Sequence, residues 1–122
     1  MNDRLLVDTN VVIYALQGLQ HVRKLVDQKS VFVSFVTEVE LLSHIKSTSQ
    51  DLKIIGEFLE RSHIIEYSIP IKEIAIEVRR KHKLKLADAF MAATAIEYSL
   101  PLVSADPVFG KVAELNFFKI NP

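Results

Sequence analysis

The sequence predicts an α/β protein, a three-layer α/β/α sandwich built on a short parallel central sheet. Short apolar runs of strand length recur along the chain, and longer stretches with helical periodicity separate them. Size is the third observation: 122 residues fit a single domain spanning 1–122, because a second core would have too little material to bury.

Taken in order, Leu5-Leu6-Val7 reads as a short buried strand, and Val11 to Leu16 as a helix that Gly18 ends. A second helix is expected from about Leu19 to Asp27, where Val22, Leu25 and Val26 share one face. Val31-Phe32-Val33, β-branched and aromatic, suits a second strand. From Thr37 to about Ser47 the pattern is helical; Thr48-Ser49-Gln50 breaks it before Leu52, Ile55, Phe58 and Leu59 mark the next helix. Ile64 to Tyr67 fits a third strand, and Ile69-Pro70 opens a helix striped by Ile71, Ile74, Ala75 and Val78. Asp88 to Tyr98 is apolar almost all round, as in a helix buried on several sides. Leu102-Val103 fits a fourth strand, and Phe117 to Ile120 a fifth at the sheet edge. In such a sheet the strands' C-terminal ends lie along one side and the returning helices begin there, so residues after strands and at helix starts converge.

Composition narrows the chemistry. Apolar residues form 49% of the chain and charged ones 25%, enough for a packed core. The absence of cysteine excludes disulfides, thiolate metal sites and thiol nucleophiles, and suits a reducing cytoplasm. Met1-Asn2-Asp3-Arg4 leads straight into the first strand without the apolar stretch of a signal peptide or a membrane span, so a cytoplasmic protein with no membrane partner is expected. Fifteen basic residues balance fifteen acidic ones, so any affinity for nucleic acid must come from how charges are placed. There is no Gly-rich phosphate loop, nucleophile elbow or His–Glu zinc helix. His21, His44, His63 and His82 show no pairwise ligand spacing and read as ordinary polar residues.

Four acids fall at strand ends or helix starts. Asp8 follows the first strand, where an Asp also serves as a helix cap. Glu40 lies in Thr37-Glu38-Val39-Glu40, which is also the pattern of a capping box. Glu38 is a rival; two residues apart on a helix, the two glutamates cannot face one site, and periodicity does not choose between them. Asp88 opens the buried helix, and Asp106 precedes a proline, as at many turns. Each has a structural explanation by itself. Their convergence has none, because gathered carboxylates repel unless a cation neutralises them. Oxygen-only ligation suits Mg²⁺ or Mn²⁺, which would let the site bind a phosphodiester and assist its in-line hydrolysis.

These residues stand in recognisable motifs: Leu5-Leu6-Val7-Asp8-Thr9-Asn10, then Ser-x-x-Thr-x-x-Glu-Leu at Ser34 through Leu41, Asp88-Ala89 with Ala92-Ala93-Thr94-Ala95, and Ser104-Ala105-Asp106 with Phe109. With them the chain resembles the PIN-domain family, and within it the VapC-like ribonuclease toxins of toxin–antitoxin pairs. The resemblance selects Glu40 over Glu38 and makes Asp8, Glu40, Asp88 and Asp106 the catalytic and metal-binding set, with Thr9, Asn10 and Ser104 in support. It implies an endoribonuclease dependent on Mg²⁺ or Mn²⁺, a frequent homodimer, an RNA substrate and a small antitoxin that blocks the site. Ser104 stands where Thr is usual and keeps the hydroxyl, while Val108 stands where many relatives carry a further Asp, which leaves one metal or two an open number. The basic run Arg79, Arg80, Lys81 and Lys83, with Lys85 beyond it, is a candidate path for the RNA backbone and equally a solvated helix end. A housekeeping RNA-processing nuclease of the same fold is the nearest competing reading; a binding module without turnover is less favoured, because all four acids are intact.

Overall fold

β1 (Arg4–Val7), β2 (Ser30–Ser34), β3 (His63–Ile65), β4 (Leu102–Ser104) and β5 (Phe117–Lys119) form one sheet in the order β3-β2-β1-β4-β5, every neighbouring pair parallel. The computed structural model describes residues 3–122, so the part of the N-terminal reading that rests on Met1 and Asn2 lies outside the described residues. Side chains alternate across β1, the central strand. Leu5 and Val7 enter the apolar cluster on one face and Leu6 the cluster on the other. The first face is covered by α1 (Thr9–Leu16), α2 (Gln20–Asp27), α3 (Phe35–Leu42) and α4 (Ser49–Arg61); α5 (Ile69–His82) and α6 (Leu86–Glu97) cover the second. This is the expected α/β/α sandwich. Among the described residues no helix is long and apolar enough to cross a membrane.

Local chemistry moves several boundaries. α3 begins at Phe35 because the buried Ser34, ending β2, accepts the Val36 N–H at 3.1 Å and caps it; the helix stops at Leu42, well short of Ser47. The capping-box reading of Thr37 and Glu40 is therefore wrong. A true capping box occurs instead at the polar break before α4. There Thr48 Oγ1 accepts the Asp51 N–H at 3.1 Å, and Asp51 Oδ2 accepts the Thr48 N–H at 3.0 Å. α6 opens at Leu86, which places Asp88 inside its first turn, and a 3-10 turn at Pro107–Lys111 is capped by Asp106.

The chain passes from β1 to β2 and β3 on one side, then returns to place β4 and β5 on the other. The order reverses between β1 and β4, and the crevice at the strands' C-terminal ends there is the usual ligand position in such sheets. Asp8 lies at that point, its N–H donating to the Val103 carbonyl at 3.1 Å.

Candidate active site

Asp8 is both a helix cap and a site residue. Its Oδ1 accepts the Thr9 N–H at 2.7 Å, and its Oδ2 accepts the Ser104 hydroxyl at 2.6 Å. Ser104, wholly buried at the end of β4, also accepts the Asp106 N–H at 3.0 Å, so one hydroxyl aligns two acidic residues. Asp106 in turn accepts the Val108 N–H through Oδ1 at 2.9 Å. From across the crevice, Glu40 on α3 accepts the Thr9 hydroxyl through Oε1 at 2.5 Å. Asp88 is half-buried in the first turn of α6.

All four acids line one cavity of about 570 Å³, together with Thr9 and Asn10. Burial pushes the Asp8 carboxyl above its ordinary value of 3.8; the bonds from Ser104 and Thr9 oppose the rise, and the charges of Glu40 and Asp106 add to it. Asp88 is also raised, first by burial and then by the charges of Asp106 and Asp8, against which Lys85 acts in the lowering direction. The acids are thus close enough to repel. Among the described residues, however, no three Asp, Glu or His side chains form a closed metal cage. The donor set still fits Mg²⁺ or Mn²⁺: all-oxygen, mutually repelling, and suited to a cation that keeps several waters and binds protein through one or two carboxylates.

The basic run is divided. Arg79 and Arg80 line a different groove, with Lys72, Leu86 and Phe90 between α5 and α6. Lys81 is paired with Glu114 at 3.3 Å, and Lys83 takes a left-handed conformation, φ 56°, at the end of α5. Lys85, beyond the run, acts on an acid of the site, Asp88. Glu38 does not line the cavity, and neither does Val108, which packs against the core beside the wholly buried Phe109.

The sequence did not point to four polar members of the wall, Gln17, His44, Ser47 and Asp51, or to an apolar flank from Ile13, Leu16, Ile54, Ile55 and Met91. His44 is four residues after Glu40, a spacing that could have drawn attention to it; its Nδ1 accepts the Lys46 N–H at 3.3 Å. Asp51 gave no such signal, because α4 is brought there only by tertiary packing.

The sequence profile of the PIN domain family matches residues 5–115, and the chain belongs to that family. Its fold is similar to that of a chain in a toxin–antitoxin complex from Klebsiella pneumoniae, with 25% identity, 95% of this chain and 99% of that one covered, and a TM-score of 0.82. It is also similar to a chain of DNA-bound VapBC from Salmonella typhimurium, at 17% identity, 98% of both chains covered and a TM-score of 0.85. A chain of FitAcB from Neisseria gonorrhoeae is similar at 24% identity, with 94% and 96% covered and a TM-score of 0.75. No curated protein sequence matches the chain.

Proposed function

We propose that the protein, acting as a single PIN domain in the cytoplasm, is a metal-dependent endoribonuclease and the toxin of a VapBC-like toxin–antitoxin pair. The observation that carries this reading is the cavity at the strand-order reversal, where Asp8, Glu40, Asp88 and Asp106 meet from four separated stretches of a PIN-domain chain. Asp8, Asp88 and Asp106 would hold Mg²⁺ or Mn²⁺, with Glu40 reaching it directly or through water. Once bound, the cation neutralises the cluster and stabilises the charge that develops on the phosphodiester. Ser104 and the Thr9 N–H hold Asp8 in place, and Asn10 adds an amide at the cavity wall. Lys85 is the cation best placed to meet the RNA backbone beside Asp88, while Arg79, Arg80 and Lys83 would contact it farther out; Lys81 is committed to Glu114.

Similarity to a chain from a toxin–antitoxin complex supports a small antitoxin as partner. A homodimer is the assembly that the family resemblance implies. The cavity suits such a partner: among the described residues no Lys or Arg lines it, its acids call for basic groups, and its Ile13, Leu16, Ile54, Ile55 and Met91 flank offers an apolar seat.

The test is RNA cleavage by the purified chain with Mg²⁺ or Mn²⁺, with and without chelator. Asp8→Asn and Asp88→Asn are expected to keep the circular dichroism of the wild type and to lose cleavage by about 100-fold, the scale of disturbing a metal's supporting residues. Glu40→Gln should lose far more than Glu38→Gln. Cleavage that survives chelation or Asp8→Asn would overturn the reading. Expression in a bacterial host separates the toxin role from RNA processing: wild type should slow growth and Asp8→Asn should not, whereas a harmless wild type that cuts RNA in vitro would favour the processing nuclease.

A further inference from the structure

Thr37 is wholly buried in the first turn of α3, where a valine would fill the same volume without burying a hydroxyl. Its hydroxyl lies 3.0 Å from that of Thr9, which lies 2.5 Å from Glu40 Oε1. Thr9 has a single hydroxyl proton, and an ionised carboxylate can only accept. The proton of Thr9 therefore goes to Glu40, and that of Thr37 goes to Thr9. Among the described residues, the Thr9 hydroxyl is the one hydrogen-bond partner of the Thr37 hydroxyl.

We infer that Thr37 is a positioning residue, acting through Thr9 to hold Glu40 with one oxygen engaged and the other left for a cation or a water. Glu40 needs this more than the other acids do. It is the longest of the four, it is exposed, and Thr9 is the hydrogen-bond partner that restrains it, whereas Asp8 is fixed through both of its oxygens. Burial of the chain's far end carries the order of the core to a surface carboxylate. The inference rests on the nuclease reading for its consequence and on the hydrogen bonds alone for its existence.

The experiment is a double-mutant cycle of Thr37→Val with Glu40→Ala, with Thr37→Ser as the conservative variant, read by Mn²⁺ affinity from calorimetry, by urea unfolding of the chelated protein and by RNA cleavage. Thr37→Val is expected to weaken Mn²⁺ binding and cleavage by about 10-fold, Thr37→Ser to restore both to within about twofold, and Thr37→Val to change Mn²⁺ affinity no further in the Glu40→Ala background. The unfolding free energies should be non-additive. Unchanged Mn²⁺ affinity in Thr37→Val, equal losses in both backgrounds, or additive unfolding would each overturn the inference. If Thr37→Val does not fold, Thr9→Val breaks the same chain nearer the surface and takes its place in the cycle. If wild type cuts no RNA, the nuclease reading fails, and the unfolding cycle still decides whether the chain exists.

Discussion

Asp8 illustrates how a single residue serves the fold and the site at once. Its carboxyl caps α1 and accepts from Ser104, yet burial and the neighbouring acids hold it above its ordinary value of 3.8 in the absence of a cation. The sign of the consequence follows from linkage. A carboxyl with a raised folded-state value prefers to be neutral in the fold, so it destabilises the folded protein once ionised, and that penalty fades as the pH falls from the raised value to the ordinary one. In chelator, Asp8→Asn should therefore raise the melting temperature at neutral pH, with the gain closing inside that window and gone below it. Thermal melts across the acid range are the check. A gain that persisted below the ordinary carboxylate value would mean that the asparagine stabilises by packing. Saturating Mn²⁺ should reverse the order, because only the wild type gains full binding energy.

At the scale of elements, the caps decide where α3 and α4 begin, and with them which side chains reach the cavity. Ser34 starts α3 early enough to put Thr37 inside the helix and under Thr9, a placement that hydrophobic periodicity alone missed by two residues. Thr48 and Asp51 close a reciprocal box at the start of α4, and those hydrogen bonds lower the Asp51 carboxyl below its ordinary value. Thr48→Ala should destabilise the protein by about 1 kcal/mol, measured by urea unfolding. Asp51→Asn should destabilise it only where Asp51 would be ionised: the loss is present above the ordinary value and disappears as the pH falls through the lowered one. The motif Ser34 to Leu41 made Glu40 legible from the sequence, but its support was hidden, because a buried threonine and a capping threonine share one sequence pattern.

At the scale of the whole molecule, β1 supports both faces of the sandwich. Leu6 is wholly buried among α5, α6 and β4 residues, while Phe118, on the edge strand β5, is 55% exposed. Leu6→Ala should cost roughly 2–5 kcal/mol, a large share of the stability of a small protein. Phe118→Ala should stay within about 0.5 kcal/mol, as exposed positions usually do. Chemical denaturation of the two variants gives the comparison, and equal losses would show that the edge strand is packed against something further, such as a second copy of the chain.

By itself the sequence determined the layer order and the parallel sheet, because alternating apolar periods leave few packings. It pointed to acids at one edge, because residues after parallel strands and at helix starts converge there, whereas the choice of Glu40 over Glu38 came from the family motif. What the tertiary structure alone decided is how those acids are held and what surrounds them. Ser104 reaches Asp8 across 96 positions and Thr9 reaches Glu40 across 31, contacts that exist only once β4 lies beside β1 and α3 lies over α1. His44, Asp51 and the apolar flank join the cavity in the same way, and Lys81 leaves the basic run because Glu114 folds back onto it. Periodicity reports which face of an element is buried, whereas a hydrogen bond between elements depends on their relative placement, which local spacing does not encode.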